Sequence, residues 1–273
     1  MKHFIFYLIT ALFLIIFANS AHAYEQNNSR FFHSDEFIVW HNNFSGYLSL
    51  NKPRYNLQTN FANDGNFIKK NAVGFSWFFR SGGRAESYLS FMQLEHSSDI
   101  NARGDLNDIE FDGRKFNVDN GLARVNFRLK IDVFDFMVIR RLKYRPWGQL
   151  NFIYGFRTLQ ADMVIKDMNS PVSASYSKVL PLPNFGFDIN YDVSERIKGH
   201  GLISGFALRR EDNGGKFNNL DLSLEYDFMC EEKTGFNAAC SIGYKEQYIE
   251  ADISRNRYSV RHNGPIFKFS AKF

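Results

Sequence analysis

The last ten residues, Gly264–Phe273, read GPIFKFSAKF. Phe267, Phe269, Ala271 and Phe273 share one parity, while Lys268, Ser270 and Lys272 share the other. Such strict alternation marks a β-strand with one apolar and one polar face. The same period recurs upstream. In Asn219–Phe228, Leu220, Leu222, Leu224, Tyr226 and Phe228 oppose Asp221, Ser223, Glu225 and Asp227. In Phe185–Val193, Phe185, Phe187, Ile189, Tyr191 and Val193 oppose Gly186, Asp188, Asn190 and Asp192, and Val73, Phe75, Trp77 and Phe79 form another stripe.

Two segments alternate less cleanly. From Val125 the apolar series Phe127, Leu129, Ile131, Val133 opposes Asn126, Arg128, Lys130 and Asp132, and the phase is lost at Asp135. Between Tyr244 and Ile249 the apolar phase switches, which is read as a β-bulge around Lys245 and Glu246.

Composition decides what kind of β-protein this is. Mean hydropathy is -0.34, a value typical of soluble chains. Yet aromatics make up 17% of the residues, with 30 Phe. A transmembrane barrel combines these properties, because only its outer face must be apolar. After residue 23 no apolar run is long enough for a spanning helix, so a membrane crossing must use strands.

The expected fold is therefore an all-β, antiparallel transmembrane β-barrel of about ten strands, within a range of roughly 8–12. The strands are placed near 36–50, 66–80, 84–98, 121–142, 148–165, 183–193, 200–210, 219–229, 239–253 and 264–273. Short turns at 81–83, 144–148, 194–199 and 231–237 alternate with long loops at 51–65, 99–120, 166–182, 211–218 and 254–263. That rhythm places the short turns and both termini in the periplasm. Asp112-Gly113 within the second loop is a two-residue hairpin signal. A soluble exported β-sandwich is the alternative that alternation alone would allow.

The N-terminus MKHFIFYLITALFLIIFANSAHA has a charged start, an apolar core and an Ala-His-Ala cleavage site. Residues 1–23 are read as a signal peptide and 24–273 as one barrel domain. Losing Lys2 lowers the net charge from +4 to about +3, too dispersed for nucleic acid. No cofactor or metal spacing is present; four-ligand zinc spacing is absent.

The terminal strand resembles that of outer-membrane proteins, which ends in Phe after alternating apolar positions. This resemblance assigns Phe267, Phe269 and Phe273 to the signal read by the barrel-assembly machinery, and Tyr244 and Tyr248 to the aromatic interface. It implies the cell outer membrane as location, with lipid and lipopolysaccharide as surroundings. NDIEFDGRKF (107–116), LPLPNFGF (180–187) and GPIFKF (264–269) look like segments of a group of outer-membrane barrels to which no activity attaches.

Three sets of residues are functional candidates. Arg128, Lys130, Asp188, Asp192, Asp221, Glu225, Asp227, Lys268 and Lys272 are assigned to the lumen, where a cross-lumen ion-pair network is expected to fill a narrow barrel. Cys230 and Cys240 flank a turn and are expected to form a disulfide in the oxidising periplasm. His96 and Ser98 lie on one strand face, close enough for base and nucleophile. They are similar to the His-x-Ser-Asn motif at the outer rim of outer-membrane lipid deacylases and phospholipases, although Asp99 replaces the Asn. The expected function is a non-enzymatic barrel with a structural, surface-interaction or narrow-pore role; a lipid-ester hydrolase is the alternative.

Overall fold

The computed structural model describes residues 32–272 except 53–54, 61–69, 81–84, 104–107, 112–113, 118–121, 170, 211–212, 231–235 and 254–255. Residues 1–23, expected as a signal peptide, and Phe273 lie outside the described residues. The strands are β1 (Phe32–Lys52), β2 (Tyr55–Asn60), β3 (Lys70–Arg80), β4 (Ala85–Arg103), β5 (Asp108–Phe111), β6 (Arg114–Asn117) and β7 (Leu122–Arg145). They continue with β8 (Gly148–Asp167), β9 (Ser173–Asp192), β10 (Ile197–Arg210), β11 (Asn213–Cys230), β12 (Asn237–Ile253) and β13 (Asn256–Lys272).

Ten of these form a closed antiparallel barrel in the order β1, β3, β4, β7, β8, β9, β10, β11, β12, β13, and β13 returns to β1. The closing ladder runs from Ser34↔Lys272 to Ser49↔Arg257. At the level of the apolar band closure leaves no barrel strand as a free edge, which is what hydrocarbon requires, because it offers no water to bond an unpaired amide or carbonyl. β2 extends the loop end of β1. β5 and β6 form the small hairpin expected around Asp112-Gly113, with Phe111 paired to Arg114.

The outer face carries an apolar band near the turn end of the barrel. Phe37, Phe75, Trp77, Phe187, Ile189, Leu224 and Phe269 are all exposed there. Rings meet across the ladders, with centroids 5.2 Å apart for Phe37 and Phe75 and 5.4 Å for Phe136 and Phe156. The strands are far longer than this band. β7 has 24 residues, which at about 3.3 Å each and a tilt of about 40° rises roughly 60 Å, against an apolar band of roughly 25 Å. The loop half of the barrel therefore stands beyond the bilayer.

This geometry corrects several sequence expectations. The segments 173–182, 213–218 and 256–263, expected as loop, are strand. β10 ends at Arg210 and β11 starts at Asn213, so short and long connections do not alternate regularly. No bulge lies at Lys245–Glu246: Lys245 pairs with Asp221 and Gly264, and Glu246 with Leu220 and Asn263, in unbroken ladders. The β11–β12 register shifts instead between Asp227 and Met229. Similarly, β7 passes Asp135 without slipping against β4 or β8.

The lost phase has a different physical cause. On the bilayer level the outer face is apolar, whereas beyond it the outer face meets water and the inner face becomes the core. On β7, Phe134 and Phe136 share the outward parity of Arg128, Lys130 and Asp132. Buried Phe127, Leu129, Ile131 and Val133 share the inward parity of Asp135. Hydrophobicity changes sides while the backbone does not.

The inward-facing apolar side chains of the loop half form one core. It includes Trp40, Leu94, Phe127, Leu159, Phe217 and Ile266. Each such side chain gains about 1.5–3 kcal/mol relative to exposure in water. Trp40 Nε1 donates to the Gly264 carbonyl at 3.3 Å. Gly264 has φ of +152°, and a Cβ there would collide with the His41 carbonyl, so this close β1–β13 approach requires glycine.

A closed ladder of this kind resists detergent until heated. Unheated and boiled samples should migrate differently in SDS gels, and identical migration with recovery in the soluble fraction would contradict the closed membrane barrel.

Candidate functional site in the barrel lumen

Toward the turn end the inward positions change from apolar to ionic. Asp135 of β7 and Arg157 of β8 are directly paired residues. Arg157 Nε donates to Asp135 Oδ1 at 2.6 Å and Nη2 to Oδ2 at 2.8 Å, with side-chain exposures of only 3% and 6%. Ser90 adds a third donor to Asp135 at 3.2 Å. The guanidinium also lies over the Phe217 ring, 4.9 Å from its centroid, joining the ionic tier to the apolar core.

Further toward the turns, Lys268 donates to Asp221 at 3.0 Å, and Lys245 lies 3.9 Å from the same carboxylate and 5.6 Å from the Trp40 centroid. Lys272 pairs with Glu225 at 2.7 Å and Lys198 with Asp227 at 2.6 Å. Asp188 accepts from Asn151 at 2.6 Å and Asn190 at 2.9 Å, and His200 Nε2 lies against its other oxygen. A cavity of about 590 Å³ runs through this tier, from Tyr88 and Ile153 to Tyr144, Asp192 and Lys272 at the turn end.

The lumen thus receives Asp188, Asp192, Asp221, Glu225, Asp227, Lys268 and Lys272. Arg128 and Lys130 are corrected: both lie on the outer face. Arg128 pairs with Glu95 at 2.8 Å and Lys130 with Asp132 at 3.2 Å, above the apolar band. Their alternation with Phe127 and Leu129 was real, but here the apolar side is the inside. The expectation that ion pairs alone fill the barrel is also corrected, since the apolar core occupies its loop half.

The disulfide is corrected as well. The ladder pairs Cys230 with Asn237 and Cys240 with Tyr226. The two cysteines are therefore offset along the strands by roughly 10 Å, at about 3.3 Å per residue, beyond disulfide reach. Cys240 is a free, exposed thiol.

His96 and Ser98 do share a face, as expected, but it is the inner one. They are 1% and 7% exposed, inside the loop half rather than at an outer rim. His96 stacks on Phe44 with centroids 4.2 Å apart and lies 5.0 Å from the His262 ring. Ser98 Oγ donates to the Asp99 carbonyl at 3.3 Å, and the Asp99 carboxylate faces outward and accepts from Asn126 at 2.7 Å. The resemblance to a His-x-Ser nucleophile thus does not extend to its position. Phe267 and Phe269 are exposed in the apolar band, as is Tyr244. Tyr248 lies beyond it, bonded to Glu250 at 2.7 Å.

Sequence reasoning missed Asp135, Arg157, Lys198, His200 and Lys245. The signal for Asp135 was present: a carboxylate in phase with Val133 and Phe127 is a buried residue that needs a partner. Its partner on β8 became visible only with the register.

No family model and no curated protein matches the chain. Among solved structures it is similar to the outer-membrane protease OmpT from Escherichia coli, at 9% identity and a TM-score of 0.55, covering 90% of this chain and 99% of that one. Matches to the Yersinia pestis attachment protein Ail bound to sucrose octasulfate (8% identity, 88% and 99% covered, TM-score 0.35) and to a Pseudomonas aeruginosa FadL homologue (9%, 90% and 90%, 0.33) are too loose to support an argument. The likeness to OmpT shows the fold alone: the chain has the architecture of a bacterial outer-membrane β-barrel.

Removing one partner of a buried ion pair strands a charge and costs about 3–5 kcal/mol, whereas replacing both by apolar residues is close to neutral. Asp135→Ala should therefore lower the urea stability of the reconstituted barrel by about that amount. Asp135→Leu combined with Arg157→Met should recover most of the loss. Equal losses in both variants would refute the pairing.

Proposed function

We propose that this chain is an integral outer-membrane barrel with a sealed lumen and a non-enzymatic, structural or surface-interaction role. One observation carries the reading: Trp40, Leu94, Phe127, Phe217 and Ile266 pack an apolar core into the loop half of the interior. A ten-stranded barrel is only slightly wider than one its own side chains fill, so such a core closes it. The ionic tier beneath then acts as a vestibule, open toward the turns.

In this reading the turns and both ends of the described chain face the periplasm. The opposite ends of the strands, with β2 and the hairpin β5–β6, stand outside the cell. Lipopolysaccharide and lipid surround the apolar band, and the assembly machinery reads Phe267, Phe269 and Phe273. The burial of His96 and Ser98 on the inner face, away from lipid on the outer face, favours this reading over a lipid-ester hydrolase.

In planar bilayers the wild type should show little or no steady conductance. Asp221→Ala with Glu225→Ala should remain closed, because the apolar tier is intact. Adding Phe127→Ala and Phe217→Ala should open both tiers and favour anions, since Lys268 and Lys272 then lack partners. Large, stable, weakly selective channels from the wild type would overturn the proposal.

A further inference from the structure

The β7–β8 hairpin carries the sequence RRLKYRPWG, Arg140–Gly148. Its ladder contains a bulge: Arg140 pairs with Phe152 and Arg141 with Asn151, then Lys143 pairs with Leu150 and Arg145 with Gly148. The extra residue, Leu142, resets the side-chain phase. Before the bulge the outward parity is even, through Phe134, Phe136 and Val138 to Arg140. After it the outward parity is odd. Arg140, Lys143 and Arg145 consequently share the outer face, which a regular strand would deny them.

These cations sit at the lower edge of the apolar band, beside lipid-facing Leu150, Phe152 and Tyr191. On that side Ala85 of β4 pairs with Arg140. Exposed Trp147 completes the patch, its ring 5.8 Å from that of Tyr191. Among the described residues no carboxylate forms an ion pair with Arg140, Lys143 or Arg145. In the adjoining turn, exposed Glu195 is offset by Arg196.

We infer that this bulged hairpin is a docking surface for anionic phospholipid headgroups of the leaflet at the turn end. Charge complementarity and position identify the occupant. Three uncompensated cations in a row below an apolar girdle meet the phosphate level of a bilayer, and amphipathic Trp and Tyr side chains favour that level. A tilted ring contact with Tyr191 places the indole of Trp147 beside the cations. Arg141 and Tyr144 take the inner parity, where Tyr144 lines the mouth of the vestibule, so the two sides of one hairpin separate lipid contact from the lumen. The inference rests on the membrane-barrel reading above but not on the closure of the lumen.

The test uses the full mature protein in detergent micelles, titrated with phosphatidylglycerol or phosphatidylcholine and read by native mass spectrometry. Heat-modifiable migration of each preparation first separates failure of the barrel reading from failure of this one. The wild type should retain phosphatidylglycerol in preference to phosphatidylcholine. The variant Arg140→Gln/Lys143→Gln/Arg145→Gln should bind it at least about tenfold more weakly, while Arg128→Gln/Lys130→Gln, at the opposite level, should not. Equal retention by all three proteins would overturn the inference. So would unchanged lipid retention with lost binding to purified peptidoglycan, which would assign the cations to the wall polymer.

Discussion

A strand ladder inside lipid cannot leave an amide or carbonyl without a partner, because no water is present to replace the lost bond. All ten barrel strands here obey that constraint, with register shifts only between Arg141 and Lys143 and between Asp227 and Met229 among the barrel ladders described. An unbroken ladder fixes side-chain parity along its whole length. Every other feature of the molecule is an adaptation of residue type to that fixed parity: apolar outward at the bilayer, apolar inward beyond it.

The interior follows from the same inversion. Beyond the bilayer the barrel behaves as a water-soluble one, with a packed core and paired surface charges such as Arg128–Glu95. At the bilayer level the outer surface takes the apolar residues, leaving polar ones for the inside, where burial demands that each charge find a partner. Asp135–Arg157 stands at the boundary between the tiers, and the Arg157 guanidinium over Phe217 is where the two chemistries touch. Buried ion pairs are weak as sources of stability yet strongly penalised when broken. Here Lys268–Asp221 and Lys272–Glu225 link β13 to β11 across the intervening β12.

Much of the fold was legible in the sequence because its bilayer-level strands have uniform parity: Phe185–Val193, Leu220–Phe228 and Phe267–Ala271 read correctly and point where expected. What misled was the assumption that the apolar side is always the outside. It sent Arg128 and Lys130 to the lumen, turned the phase change before Ile249 into a bulge, and made loop of strand segments such as 256–263. The bulge that does exist on β7 was hidden within RRLKYRPWG, where four charged residues and one Leu give no alternation to interrupt. The cysteine pairing failed for another reason: flanking a turn does not make two residues opposite, and only the register separates Cys230 from Cys240.

Parity is constant on β7 while hydrophobicity changes sides. Spin labels at single cysteines from Asn126 to Arg140, in protein with Cys230 and Cys240 replaced by Ser and reconstituted in lipid, test it directly. Labels at Arg128, Lys130 and Asp132 should be accessible to a water-soluble nickel chelate, labels at Phe134, Phe136 and Val138 to lipid-dissolved oxygen, and labels at Val133 and Met137 should be shielded from both. A switch of the shielded parity from odd to even at Asp135 would contradict it.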